Sequence, residues 1–207
     1  MTHITTEDYK TKAREATQNS TLQGALAGLQ EQLGKGTALA YKELPEGPDL
    51  RYKAHDIRMH AINNLDVLLK QLAVKICSQG GHVFFAKDGK SAAAYCLDIA
   101  RKHHVKLVVK GKSMVTEEIR LNDALINEGI DVYETDLGEY IVQLAGEHPS
   151  HILAPAIHKT REDIGRLFSE KLNIPYTDDP PTLTTAARIA LREKFFAADM
   201  GISGCNL

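Results

Sequence analysis

The stretch that decides the fold, Lys106–Asp163, reads KLVVKGKSMVTEEIRLNDALINEGIDVYETDLGEYIVQLAGEHPSHILAPAIHKTRED. It contains three short, mainly apolar runs, at Leu107–Val109, Ile130–Tyr133 and Ile152–Ala156. Each run is followed by a polar turn and then by a segment suited to a helix. This alternation is typical of βαβ units and a parallel sheet. Because the turns after parallel strands lie at one edge of an open sheet, we expect the three turns to meet in one crevice.

The first of these turns carries Lys110, Lys112 and Ser113. Gly111-Lys-Ser113 and the earlier Gly89-Lys-Ser91 each open a helix after an apolar run, as a phosphate-binding P-loop does. A P-loop needs another glycine five residues earlier, and Phe84 and Lys106 occupy those positions, so nucleotide hydrolysis is not supported. Helix-start N–H groups beside a lysine still suit an anion, while simple capping and solvation are the alternative.

The second turn, Thr135–Glu139, contains two carboxylates three residues apart. That spacing places Asp136 and Glu139 on one face at the start of a helix. They can act as acidic caps that the helix dipole favours. They can also supply a general base or an orienting group for a substrate hydroxyl.

The third turn contains His158, Lys159 and Thr160. A lone histidine is usually structural, but a histidine can accept a proton near neutral pH, and the turn position beside a lysine strengthens the functional alternative. We therefore predict Asp136, Glu139 and His158 as catalytic residues. Lys110, Lys112, Ser113, Lys159 and Thr160 are predicted to bind the substrate.

Composition narrows the class of protein. The chain has 207 residues, 43% of them hydrophobic, and a formal net charge of −2. This size allows one sizeable core, and the charge gives no general attraction to nucleic acid or anionic membranes. No apolar run approaches the roughly 18 residues of a membrane span, and the N-terminus MTHITTEDYK lacks the apolar segment of a secretory signal.

The three cysteines, Cys77, Cys96 and Cys205, are far apart, and no CxxC pair occurs. The chain therefore shows no ligand set for zinc or an iron–sulfur cluster, nor a GxGxxG fingerprint for a dinucleotide. An odd number of cysteines without a signal indicates reduced thiols and a cytoplasmic protein.

Periodicity and turn residues predict the other elements. One helix is expected over residues 5–33, capped by Thr5 or Thr6 and ended by Gly34 and Gly36, and a loop over residues 35–48. A long amphipathic helix follows from Leu50 to Ser78, suited either to packing on the sheet or to a partner interface. Further helices are expected over residues 91–103, 114–128, 138–145, 160–172 and 182–196. Strands are expected over residues 82–86, 105–110, 130–134 and 151–157, with a fifth beginning in 197–202.

Four segments, VVKGKSMVTEEI, ETDLGEYIVQLAGE, PSHILAPAIHKTRED and ADMGISGCN, resemble the LUD (lactate-utilisation) domain family. The resemblance runs from about Thr11 to the last residue. It implies the fold of glucosamine-phosphate isomerases and CoA transferases, and a role in oxidising lactate to pyruvate. It also implies that iron–sulfur clusters reside on partner subunits or in a C-terminal region that this chain lacks.

We therefore expect a three-layer α/β/α fold with a mainly parallel sheet of four to five strands, preceded by N-terminal helices. The expected domains are a helical region over residues 1–78 and an α/β domain over residues 79–207, which looks truncated at its C-terminal end. The long amphipathic helix and the interrupted sheet edge favour a homodimer or a partner complex.

The predicted function is that of a subunit of a lactate-oxidising complex that binds a small hydroxy-carboxylate and cannot complete redox chemistry alone. The alternative is a non-catalytic scaffold that docks onto iron–sulfur proteins. An acyl- or phosphosugar-type enzyme is supported by fold analogy alone, which is weak.

Overall fold

A computed structural model describes residues 6–204, with the side chains of Thr6 and Glu7 left out. Cys205 and Thr5, the latter predicted as a possible cap, lie outside these residues. The chain separates into two compact units, with the boundary after Phe85. Among residues 6–204, no helix combines the length and apolar character that crossing a membrane requires.

The N-terminal unit is helical, with α1 at Thr6–Gln18, α2 at Ser20–Glu43, α3 at Gly47–Asn63 and α4 at Leu65–Ser78. The prediction of one helix over residues 5–33 followed by a loop was wrong. Asn19 interrupts the helix and caps α2 by accepting a hydrogen bond from the Leu22 amide. The helix α2 then runs through Gly34 and Gly36, because an interior glycine costs only about 1 kcal/mol and good helix formers surround both positions. The predicted long helix from Leu50 is likewise divided at Asn64.

The C-terminal unit contains six helices and three strands among its described residues. The helices are α5 (Gly89–Lys102), α6 (Met114–Glu118), α7 (Leu121–Asn127), α8 (Leu137–Ala145), α9 (Arg161–Leu172) and α10 (Pro180–Ala197), and the strands are β1 (Leu107–Lys110), β2 (Asp131–Glu134) and β3 (Met200–Ile202). The predicted helix over residues 114–128 is divided because Arg120 adopts φ 53°, a left-handed conformation that interrupts it. Asp179, and not Thr182 or Thr184, caps α10.

The sheet is entirely parallel, with the strand order β2-β1-β3. Val108 pairs with Val132 of β2 and with Met200 of β3. Lys110, the last residue of β1, pairs with Glu134, the last residue of β2. All three strands therefore end at the same edge of the sheet, which is the edge where the sequence predicted a binding crevice.

Helices cover both faces of the sheet, which confirms the predicted three-layer α/β/α class. On one face, α5 and α7 pack on the sheet around Ala100, Val108, Leu121, Leu125 and Val132. On the other face, α8, α9 and α10 pack around Tyr133, Tyr140, Phe168, Leu183 and Leu191. Neighbouring residues of one strand point to opposite faces, so Val132 and Tyr133 contribute to different cores.

Two predicted strands are absent. Residues 82–86 form no strand, because a strand needs a hydrogen-bonded neighbour that an apolar run cannot itself provide. Residues 151–157 instead make bends and turns. The Ser150 amide bonds to the carbonyl of Pro155, and the Ile157 amide to the carbonyl of Ala154. The described sheet has three strands, and His158 does not follow a strand.

Candidate functional site

The edge of the sheet holds a buried ion pair. Nζ of Lys110 lies 2.8 Å from Oε1 of Glu134, and the two side chains are 0% and 6% exposed. Lys110 also donates to the hydroxyl of Thr116 in α6, and the amide of Asn122 in α7 donates to Glu134. Lys110, predicted to hold substrate, is thus surrounded by protein groups.

A second ion pair lies at the same edge. Nζ of Lys112 is 2.5 Å from Oε1 of Glu139 in the first turn of α8. Glu139 is buried, whereas a quarter of the Lys112 side chain remains exposed. Burial and the nearby charge of Glu139 raise the pKa of Glu117 on α6, against the opposing influence of Lys110 and Lys112. The edge therefore gathers two lysines and three glutamates, named here the edge cluster: Lys110, Lys112, Glu117, Glu134 and Glu139.

Ser113 and Asp136 serve as helix caps. The hydroxyl of Ser113, fully buried, accepts from the amide of Thr116 and starts α6. The carboxylate of Asp136, which is exposed, accepts from the amides of Gly138 and Glu139 and starts α8. Both side chains therefore make the hydrogen bonds expected of helix caps, the alternative to substrate binding or catalysis at these two turns.

His158 lies in a separate polar group, named here the histidine cluster: Glu147, Ser150, His158 and Lys159. Nε2 of His158 is 2.6 Å from a carboxylate oxygen of Glu147, and its Nδ1 is 2.7 Å from the Ser150 hydroxyl. Because a carboxylate only accepts, Nε2 is assigned the proton. The Ser150 hydroxyl has one proton and two acceptors within reach, Nδ1 of His158 at 2.7 Å and the carbonyl oxygen of Pro155 at 3.2 Å, so Nδ1 accepts from Ser150 only when the hydroxyl turns toward it. Lys159 donates to the other oxygen of Glu147 at 2.7 Å. This arrangement orients the imidazole.

The pKa of Glu147 reflects these contacts. Partial burial raises the pKa of this carboxyl, but the hydrogen bonds and charges of Lys159 and His158 outweigh that effect and hold it below its ordinary value. Glu147 is therefore ionised at neutral pH and is available to orient His158.

Thr160 belongs to a helix start. Its hydroxyl caps α9 by accepting from the Asp163 amide, while the carboxylate of Asp163 accepts from the Thr160 amide. This reciprocal pair is a capping box, which occupies the groups of Thr160 that were predicted to bind substrate.

The first turn of α8 links the two clusters. Pro155 is buried and packs against Gly138, where an added Cβ would lie only 3.0 Å from Pro155 Cδ. The loop that bears the histidine cluster thus approaches the helix start that bears Asp136 and Glu139. The structure places the predicted residues in two groups beside α8.

Sequence reasoning missed Glu134, Glu147 and Ser150. The sequence did carry a signal for Glu134. Lys110 and Glu134 have opposite charges and each ends an apolar run, and the ends of neighbouring strands align in a parallel sheet. No comparable signal marked Glu147 or Ser150, since the segment 147–159 has no regular periodicity that would fix which side chains meet.

The described residues offer no metal ligand set. No three His, Cys, Asp or Glu side chains of residues 6–204 are arranged to hold a metal ion. Cys77 is exposed on α4, and Cys96 is half-buried on α5, where burial raises the pKa of its thiol. These residues therefore do not fit an iron–sulfur cluster.

The C-terminal unit is a parallel α/β/α domain with polar side chains at the edge where its strands end. Residues 69–207 match the model of the LUD domain, and the chain belongs to this family. The chain is 46% identical to a lactate utilization protein B of Bacillus velezensis and 45% identical to that of Bacillus subtilis, each over 98% of this chain. It spans 43% of the length of these relatives. No solved structure gives a significant match.

Proposed function

We propose that this chain acts in lactate utilisation, as part of a system that oxidises L-lactate to pyruvate. The observation that carries this proposal is its similarity over nearly its whole length to proteins named lactate utilization protein B. Because the chain spans less than half of those relatives, the proposal concerns its contribution to a larger assembly.

We place the binding of the hydroxy-carboxylate beside the first turn of α8. Lys112 is the partly exposed lysine of the edge cluster, so its ammonium suits the substrate carboxylate. His158 lies on the loop that packs against the same helix start through Pro155, and its Nδ1 suits a hydroxyl proton. Glu147 holds the imidazole in the required tautomer, and Lys159 supplies a second positive charge beside it.

The chemistry divides between this chain and an acceptor. Oxidation of a 2-hydroxy acid to a 2-oxo acid removes two electrons and two protons. In this proposal, the substrate hydroxyl proton passes to Nδ1 of His158, directly or through the exposed Ser150 hydroxyl. An iron–sulfur carrier on a partner subunit or in a further region of the protein would accept the two electrons, one per cluster, and the second proton, from Cα, would pass to solvent.

Calorimetric titration of the purified chain with L-lactate and pyruvate tests this site. Lys112→Ala removes a charge-assisted hydrogen bond, so binding should weaken roughly 10- to 150-fold. Lys35→Ala is the matched control, since Lys35 is an exposed lysine paired with Glu31 on α2. Thermal unfolding of each variant shows whether it remains folded. Parent protein that binds neither compound would contradict the site, as would equal binding by the parent and a folded Lys112→Ala.

One observation favours the alternative of a non-catalytic scaffold. Both edge lysines already have carboxylate partners, so a substrate carboxylate must compete with Glu134 or Glu139. A scaffold requires no such competition and would dock onto iron–sulfur proteins of the same system. Association with purified iron–sulfur partner subunits by a chain that binds neither lactate nor pyruvate favours the scaffold. Binding of lactate that depends on Lys112 favours the first proposal.

A further inference from the structure

A cationic pocket lies between the end of β2 and the C-terminal half of α10. It has a volume of about 510 Å³ and is lined by Thr135, Arg188, Ile189, Leu191, Arg192, Phe195 and Phe196, together with Thr185. None of these residues belongs to the edge cluster or the histidine cluster. The pocket is therefore a separate candidate site at the same end of the sheet.

The two arginines differ from the other arginines of the C-terminal unit. Between Ala86 and Gly204, the guanidinium groups of Arg101, Arg120, Arg161 and Arg166 each pair with a carboxylate. Arg188 and Arg192 pair with no carboxylate among the described residues, and both line this pocket. They lie one helical turn apart on the same face of α10, a spacing at which like charges mildly destabilise a helix. An anion between them would remove that repulsion.

One aromatic ring of the pocket wall contacts Arg192, and both arginines are exposed. The Arg192 guanidinium carbon lies 5.1 Å from the centroid of the Phe196 ring, in a cation–π contact. Thr135 is tied to β1 because its amide and its hydroxyl both donate to the carbonyl of Lys110. One side of the pocket is thus anchored to the sheet and the other to α10.

The pocket adjoins an apolar groove on α10. This groove has a volume of about 720 Å³ and shares Thr185 and Ile189 with the pocket. Its other walls include Leu172, Ile174, Pro175, Tyr176 and Ala186. A ligand with its anionic group at the arginines can therefore extend an apolar chain along α10.

We propose that the Arg188–Arg192 pocket binds an organic anion that carries a carboxylate or phosphate group on an apolar chain. Arginine suits both groups, because its planar fork of N–H donors matches their oxygens in pairs. The apolar chain lies over Ile189 and in the adjoining groove. The proposal does not depend on a role in lactate utilisation.

The test uses hexanoate, hexyl phosphate and hexanol as probes of one chain length, titrated by calorimetry into the whole chain. Both anions should bind, and hexanol should bind at least tenfold more weakly. The anion that binds more tightly shows whether the pocket prefers a carboxylate or a phosphate group. Acetate should bind more weakly than hexanoate, because each methylene that becomes buried contributes up to about fourfold.

Two variants and a control locate the site. Arg188→Gln and Arg192→Gln should each weaken hexanoate binding roughly tenfold, the lower end for a charge-assisted hydrogen bond. Arg101→Gln makes the same change in charge on α5, away from the pocket, and should leave binding unchanged. Shifts of the Arg188 and Arg192 side-chain N–H signals in NMR spectra should follow the same titration.

Three results would overturn the proposal. The first is binding of hexanol as tight as that of hexanoate, which indicates an apolar groove without anion recognition. The second is a loss of hexanoate binding in Arg101→Gln as large as in the two pocket variants, which indicates that the net charge of the protein attracts the anion. The third is no binding of either six-carbon anion at millimolar concentration.

Discussion

Lys110 and Glu134 end neighbouring strands at the same register position and form an ion pair of 2.8 Å from which water is almost excluded. One oxygen of Glu134, Oε2, finds no hydrogen-bond partner among the described residues, and neither does Oδ1 of Asn122. The pair depends on both charges, since a single buried charge is far less stable than two opposite ones.

Replacement of Lys110 should therefore be strongly destabilising. We expect Lys110→Met to lower the free energy of unfolding by about 3–5 kcal/mol, because Glu134 is left as an uncompensated buried carboxylate. Urea denaturation followed by circular dichroism measures this change. The double variant Lys110→Met/Glu134→Leu removes both charges and should recover most of the loss. A double variant no more stable than Lys110→Met would show that the charge pair is not the reason for the effect.

Asp199 should make the stability of the protein depend on pH in the acid range. The backbone amides of Lys106 and Leu107 donate to its carboxylate, which lowers its pKa below the ordinary value of 3.8. A depressed folded-state pKa stabilises the fold at a pH above 3.8, and this contribution disappears as the pH falls through the folded value. Asp199→Asn should therefore be less stable than the parent at pH 6, and the difference should shrink toward pH 2. Urea unfolding across this range measures it, and a difference independent of pH would be the contrary result.

Gly165 should tolerate no side chain. An added Cβ would lie 2.1 Å from the carbonyl oxygen of Thr177, a backbone atom that cannot rotate away. Gly165→Ala should lower the free energy of unfolding by about 1–3 kcal/mol, as other overpacked sites do. Gly36→Ala is the matched control, because Gly36 is also helical but has open space around it. The control should be neutral or stabilising by up to about 1 kcal/mol. Equal effects in the two variants would contradict the steric explanation.

Thr160 should act through its cap. Thr160→Ala should lower the free energy of unfolding by about 0.5–2 kcal/mol, because the amide of Asp163 loses its acceptor at the start of α9. Thr160→Ser keeps the hydroxyl and should restore most of that stability. Thermal unfolding distinguishes the three proteins. Unchanged stability in Thr160→Ala, together with weaker lactate binding, would instead support the predicted contact with substrate.

The local sequence was sufficient for β1, β2 and the starts of the helices that follow them. Apolar runs with flanking turn residues predicted strands over residues 105–110 and 130–134, and the structure has them at Leu107–Lys110 and Asp131–Glu134, with the caps Ser113 and Asp136 starting the next helices. It was insufficient for residues 151–157, where an apolar run containing Pro155 looked like a strand. Whether such a run becomes a strand depends on a neighbour for its backbone N–H and C=O groups.

Interruptions of the helices were also hard to predict. Gly34 and Gly36 lie inside α2, whereas Asn19 and Asn64, which carry no strong breaking signal, separate helices. The energies involved are about 1 kcal/mol or less per residue, so good helix formers on either side can outweigh the preference of a single residue.

Periodicity and turn chemistry act between neighbours along the chain, so they were enough to predict the α/β/α class, the direction of the strands and the charged residues that end them. Which of those charges remain available depends on contacts between distant parts of the chain. The tertiary structure paired Lys110 with Glu134 and Lys112 with Glu139, and it gave His158 the partners Glu147 and Ser150. It also left Arg188 and Arg192 beside a pocket without carboxylate partners among the described residues. The physical reason is that a buried charge is stable only beside an opposite charge, and the fold determines which charges meet.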